Sequence, residues 1–314
     1  MHETLAAIDV GTNSVRLTMV RPRADGSLSI VCERRDAVRP GEGVFGSGSI
    51  APVAVERLLT VLAHYAAICR GFDAGVRAVA TSAVREADNR HTVLARARRE
   101  TGLELEVLSG REEARLICLG VLGEQPPQAR SLVIDVGGGS TEIISACGER
   151  PVALWSVALG AVRLTELLGK RDRGDELRAL RAHARAIVAD ALPRDIVEPP
   201  HAVLGSSGTI RAVVGFAAPA GTASVTRGQL AAAVEDIAAM TTGERLARFG
   251  SERADVVTAG AVALEAIVEH ARLEAVAAVR AGLVDGVLAE MTRARTAIAA
   301  DPAPAAEVRL AAGR

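Results

Sequence analysis

Lysine is almost absent from this chain: Lys170 is the only one, so the 37 basic residues are otherwise arginines. A GC-rich coding sequence accounts for the bias. Its chemical consequence is that an anion site here must use planar arginine forks rather than lysine ammonium groups. Aromatic residues make up only 2% of a chain that is 49% hydrophobic, so the core must be built from Ala, Val, Leu and Ile. Cys32, Cys69, Cys118 and Cys147 are scattered, with no C-x-x-C and no histidine at zinc spacing. That excludes a cysteine zinc site and a disulfide framework, and marks four reduced thiols. A formal charge of -1 argues against a nucleic-acid partner held by bulk electrostatics. No uncharged apolar run is long enough to span a bilayer, so no membrane partner is expected. Asp9 interrupts the first apolar stretch before a signal-peptide core can form, and a cytoplasmic location is the expectation.

What is present is a repeat. The run Ala7-Ile8-Asp9-Val10-Gly11-Thr12-Asn13-Ser14 returns as Val133-Ile134-Asp135-Val136-Gly137-Gly138-Gly139-Ser140, one small domain further on. Strand-like residues follow each copy (15–20 and 141–146), then a turn (Asp25-Gly26 and Cys147-Gly148), then a third strand (Leu28 to Cys32 and Val152 to Val157). Pro52 opens a helix that Gly71 closes, with Val55, Leu58, Leu59, Leu62 and Cys69 on one face. Strands are expected at Val76 to Ala80, Leu103 to Leu108, Ala202 to Leu204 and Ala275 to Val279. Helices are expected at 90–101, 111–122, 161–168, 174–191, 227–240, 252–271 and 283–298. Meander strands followed by alternating helices and strands, twice over, describe an α/β chain of two similar lobes. The boundary falls at Glu124-Gln125-Pro126-Pro127, giving residues 1–126 and 127–300, with 301–314 as a tail. A ligand would sit in the cleft between the lobes.

The repeated turn suits an anion. A hydrophobic strand delivers an aspartate, and small residues then leave backbone N–H groups open to phosphate, with Ser14, Ser140 and Thr141 adding hydroxyls. Asp9 and Asp135 would be tolerated beside phosphate only if they faced a divalent cation or a water, and Mg²⁺ suits that arrangement. Gly205-Ser206-Ser207-Gly208-Thr209 is a third small-residue loop, placed before a helix. Glu112 and Glu113 open the helix after Ser109. They can serve the helix dipole, or one of them can face the cleft as a general base. Arg85 follows a strand and could reach the same cleft. The six histidines are isolated and read as surface or satisfied side chains.

In order along the chain stand AIDVGTNSVRL, TSAVREADN, SGREEARLI, VIDVGGGSTE, GSSGT and ERADVVTAG. This series resembles the exopolyphosphatase / guanosine pentaphosphate phosphohydrolase (Ppx/GppA) family, in a short two-domain form. The resemblance implies two actin-like (ribonuclease H-like) domains with an interdomain active-site cleft. It implies hydrolysis of a terminal phosphoanhydride with Mg²⁺, or Mn²⁺ in its place, on inorganic polyphosphate or on the 5′ end of pppGpp. Gly11, Thr12, Asn13 and Ser14 would form the first phosphate loop, and Gly137, Gly138, Gly139, Ser140 and Thr141 the second. Gly208 and Thr209 would extend the phosphate contacts. Glu113 corresponds to the water-activating base, Arg85 to a phosphate grip, and Asp135 and Glu142 to metal-binding or water-orienting acids, with Asp9 as a further metal ligand. The resemblance also implies a homodimer.

Two departures stand out. The chain has no room for the C-terminal helical extension of longer members, which puts extended polyphosphate binding in question, and Ala281 stands where the family more often has Glu. Exopolyphosphatase is the favoured reading, with pppGpp 5′-phosphohydrolase as its rival. An actin-like kinase or ATPase would need an adenine pocket near Gly260-Ala261. A non-catalytic alarmone-binding protein has no need of the Glu113, Asp135 and Glu142 set.

Overall fold

The computed structural model describes residues 2–23, 27–123, 126, 128–168, 173–193, 196 and 200–300. The Asp25-Gly26 turn, Glu124, Gln125 and Pro127 of the expected linker, Lys170 and the 301–314 tail lie outside the described residues. The run Leu5–Val10, apolar except for Asp9, forms β1 and is buried throughout, as a central strand covered on both faces must be. Antiparallel β2 (Val15–Pro22) and β3 (Leu28–Asp36) complete a meander. Then come α1 (Val44–Ser47), α2 (Pro52–Gly71), β4 (Gly75–Ala80), α3 (Ser82–Glu86), α4 (Arg90–Thr101), β5 (Leu105–Val107) and α5 (Gly110–Leu122). The sheet order is β3-β2-β1-β4-β5, with β4 and β5 parallel to β1.

The second half repeats this plan. It runs β6 (Arg130–Val136), β7 (Thr141–Cys147), β8 (Arg150–Val157), α6 (Ala161–Leu168), α7 (Arg173–Ala191), β9 (Ala202–Ser206) and α8 (Ser207–Ala217). It continues with β10 (Ser224–Thr226), α9 (Arg227–Ala239), α10 (Thr242–Phe249), α11 (Val257–His270), β11 (Ala275–Ala278) and α12 (Leu283–Ala300). Its sheet order is β10-β11-β9-β6-β7-β8, so β6, β9 and β11 stand where β1, β4 and β5 stand in the first. The architecture is α/β, with two actin-like lobes of matching topology, the second carrying β10 as an added edge strand.

Three local differences from the sequence expectations have physical causes. The expected 252–271 helix starts only at Val257, because Gly250 adopts a left-handed φ of 75° and residues 251–256 turn toward the first lobe. The helix α10 was not foreseen. It opens on a capping box in which Thr241 and Glu244 bond each other's backbone N–H. The strand β10 has three residues, too few to show alternation. One helix among the described residues, α2, is long and apolar enough to cross a membrane. Here its face of Leu58, Leu62 and Tyr65 packs into the first lobe's core, and the Tyr65 hydroxyl donates to Asp36 at 2.6 Å.

The lobes are joined by α5 and α12, which lie between the sheets. On one side Leu116 of α5 packs with Val287 and Leu288 of α12 against Ala7 and Val79. On the other, Ile117, Cys118 and Leu122 pack against Val133 and Ile144 of the second sheet. The helices cross on bare backbone: a Cβ on Gly286 would collide with the Leu116 carbonyl, and one on Gly120 would lie 2.6 Å from the Gly286 nitrogen. Gly286→Ala is therefore expected to cost about 3 kcal/mol of stability or more in urea denaturation, as overpacking does. An unchanged midpoint would show that the crossing has slack.

Candidate active site

The two Asp-Val-Gly copies build the same hairpin turn. Gly11 N donates to Ser14 O at 3.1 Å, and Gly137 N donates to Ser140 O at 3.0 Å. Glycine is required at the second turn by space, since a Cβ on Gly137 would lie 2.9 Å from Ser140 O. The turns face each other across the cleft so closely that a Cβ on Gly138 would lie 2.8 Å from the Thr12 Cβ. Asp9 and Asp135 end their strands beneath these turns. In register, Asp9 lies opposite Arg16 and Asp135 opposite Glu142, so the duplicated positions carry opposite charge.

Asp9, Glu113, Asp135, the residues 11–14 and 137–140, and Gly208 with Thr209 all line one cleft. Of the glutamate pair, Glu112 is occupied on the surface by Arg115 at 2.7 Å, and Glu113 is buried and faces the cleft. Three expected site residues stand behind the lining. The Thr141 hydroxyl donates to the Leu159 carbonyl. Glu142 is buried and accepts from Ser156 Oγ at 2.8 Å. Arg85 donates to Glu113 Oε2 at 2.8 Å and to Leu108 O at 2.9 Å, so its guanidinium orients Glu113 rather than reaching into the cleft.

Burial dominates the electrostatics of the floor. Desolvation pushes Glu113 up to about 7, against the opposing pull of Arg85. Desolvation also raises Asp9 and Asp135, and lifts Glu142 well above the ordinary carboxylate range, where the charges of Glu113 and Asp135 add to it. The rim is the opposite. Arg16, Arg35, Arg211, Arg253 and Arg280 line the same cleft. Burial, with Arg16 and Arg253 nearby, holds Arg35 down to about 10, and burial and Arg16 lower Arg211. The motifs missed these five as binding residues. Arg16 and Arg253 sat inside quoted motifs and Arg211 just beyond GSSGT, and the near-absence of lysine was the signal that anion contacts would be arginines. Arg35, at a strand position, had no such signal.

Among the described residues, no three Asp, Glu, His or Cys side chains gather into a self-sufficient metal site. Mg²⁺ does not need one, because it is commonly held by one or two carboxylates, substrate phosphates and waters. Asp9 Oδ1 is buried without a hydrogen-bond partner among the described residues, and Asp135 is close enough to raise its pKa. An orphaned carboxylate oxygen beside a second carboxyl group fits a divalent cation.

The lobes also touch at the cleft's edges. On one side Arg39 forks Asp255 at 2.7 and 3.2 Å, and Asn13 donates to Glu252 O at 2.8 Å. On another, Arg163 donates from Nη2 to both carboxylate oxygens of Glu86 at 2.6 Å and from Nε to Gly139 O at 2.6 Å, and stacks 4.0 Å over the Phe45 ring.

A glutamate raised by burial favours folding while protonated. Its contribution is full below about pH 4.5 and is lost as pH rises through about 7. In metal-free protein, the stability of Glu113→Gln relative to the parent should therefore rise by about 3 kcal/mol at most as pH climbs from about 4.5 through 7, on top of a pH-independent loss of the Arg85 contact. The gain should shrink toward pH 4.5 when denaturation is followed across that range; a pH-independent difference would contradict the assignment.

Residues 19–294 match the model of the Ppx/GppA phosphatase family. The chain is 32% identical over 305 residues to exopolyphosphatase 1 of Mycobacterium tuberculosis, covering 89% of this chain and 87% of that protein. It is 34% identical over 291 residues to exopolyphosphatase 2 of the same organism, covering 85% and 91%. The crystal structure of the Aquifex aeolicus Ppx/GppA family member superimposes with a TM-score of 0.75 at 28% identity, over 93% of this chain and 98% of that one. With its motif order, duplicated topology and whole-length similarity in agreement, the chain belongs to the Ppx/GppA phosphatase family.

Proposed function

We propose that the cleft removes terminal orthophosphate from inorganic polyphosphate by attack of an activated water. One observation carries this reading: Glu113 is a buried carboxyl group held near neutrality, facing a cleft of small-residue turns rimmed by arginine. A base with that pKa can take a proton from water at physiological pH. The water oxygen bonds to phosphorus, the bond to the bridging oxygen breaks, and the water proton passes to Glu113. Arg85 fixes the orientation of Glu113. Turn amides and arginines hold the phosphoryl oxygens as charge shifts to the leaving oxygen, which is most of what such a transfer requires. Mg²⁺, or Mn²⁺, would be held by Asp9 and Asp135 with Glu142 behind them, and would neutralise phosphoryl charge. The names of the mycobacterial relatives support polyphosphate as the substrate.

The same residues would serve a pppGpp 5′-phosphohydrolase, which remains the alternative substrate. An actin-like kinase or ATPase is less well supported. Ala261 is fully buried, and Gly260 packs so tightly under Thr209 and Ala161 that a Cβ would lie 3.3 Å from the Ala161 Cβ. That packing leaves no room for a base against Gly260 itself. Orthophosphate release with Mg²⁺ from polyphosphate, pppGpp and ATP is the test. Polyphosphate should be preferred, and Glu113→Gln should lower kcat by about 10²- to 10⁴-fold. Preference for ATP would sink the phosphohydrolase reading, and a variant at parental rate would remove Glu113 as the base.

A further inference from the structure

Two guanidinium groups from opposite lobes meet over one glycine. A Cβ on Gly208 would lie 3.2 Å from Arg253 Nη2 and 3.5 Å from Arg35 Nη1, so both arginines border the same spot in the cleft. Arg35 comes from β3 of the first lobe, where its Nε donates to Ser14 Oγ at 3.3 Å. Arg253 comes from the 251–256 turn of the second. One carboxylate oxygen serves both: Glu252 Oε2 lies 3.2 Å from Arg35 Nη2 and 3.7 Å from Arg253 Nη2. It offsets the repulsion that Arg35 meets from Arg16 and Arg253. This counter-ion is loosely held. Its contacts are longer than the 2.7 Å at which Arg39 grips Asp255 in the same turn, and its side chain keeps 28% of its surface exposed. Part-exposed pairs of that kind contribute little to stability. The backbone beneath it is fixed, because Glu252 O accepts from Asn13 Nδ2 at 2.8 Å. Rotation of the Glu252 side chain alone would therefore free both guanidinium groups. A phosphoryl group, with more charge and more oxygens than one carboxylate, suits a pair of arginines better.

Resting on the phosphohydrolase reading, we propose that Glu252 is a built-in competitor for the phosphate held by Arg35 and Arg253. Entering phosphate displaces its carboxylate, and the carboxylate returns to the two arginines as orthophosphate leaves. Glu252 thereby limits how tightly the cleft keeps its own product. Calorimetric titration with orthophosphate in the presence of Mg²⁺ reads this without turnover. Glu252→Gln keeps the side chain's size and the Asn13 bond and removes the charge. It should bind orthophosphate about 3- to 10-fold more tightly than the parent, the effect of lifting one carboxylate from beside two cations. Product inhibition of polyphosphate hydrolysis should tighten by the same factor. Asp255→Asn removes an equal charge and another interlobe ion pair, but Asp255 is not among the residues lining the cleft. It should change orthophosphate affinity by less than about 2-fold, since an exposed charge is screened. Unchanged or weaker orthophosphate binding by Glu252→Gln, or equal effects from the two variants, would overturn the competitor role. A parent protein that binds orthophosphate yet releases none from polyphosphate would instead overturn the phosphohydrolase reading.

Discussion

The crossing of α5 over α12 sets the distance on which the site depends. Both helices lie between the two sheets, and they can do so only because Gly120 and Gly286 let backbone meet backbone. The helix α5 carries Glu113 in its first turn, so the helix that spaces the lobes also aims the acid. Its Ser109 cap accepts from Glu112 N at 3.1 Å and fixes where the first turn begins. A thicker crossing would separate the Asp9 and Asp135 turns, which now touch through Gly138 and Thr12. Packing in the middle of the molecule is thereby converted into proximity at the cleft.

Charge is segregated within that space. Asp9, Glu113, Asp135 and Glu142 are desolvated together, and each is pushed toward its neutral form. Arginines gather at the rim, where burial and mutual repulsion lower Arg35 and Arg211. Each half is strained without the other's natural complement, a cation for the floor and an anion for the rim. A phosphoryl group with a divalent cation supplies both at once, which is why the arrangement suits phosphoanhydride chemistry better than either set would alone.

Much of this was legible from residue order. The doubled Asp-Val-Gly run foretold the two lobes, and the three small-residue loops do line the cleft. The difference between the copies was also visible, because Glu142 follows one turn where Arg16 follows the other, and the strands set them at equivalent positions. What escaped was tertiary. No local pattern says that Arg35, on β3, meets Arg211 and Arg253 from the other lobe, or that Arg85 spends its guanidinium on Glu113. Thr141 and Glu142 were placed among the site residues by motif, yet β7 is covered on both faces and buries them behind the lining. Short elements such as β10 and α3 lacked the length to show a period.

The central claim is that a buried, near-neutral carboxyl group on the linking helix takes the proton from the attacking water. The pH dependence of kcat/KM for orthophosphate release from polyphosphate tests this most directly, because it follows the free protein's base. It should climb as pH rises through about 7, the value to which burial lifts Glu113. A kcat/KM that is already flat from pH 5 upward, with chemistry shown to be rate-limiting, would contradict it.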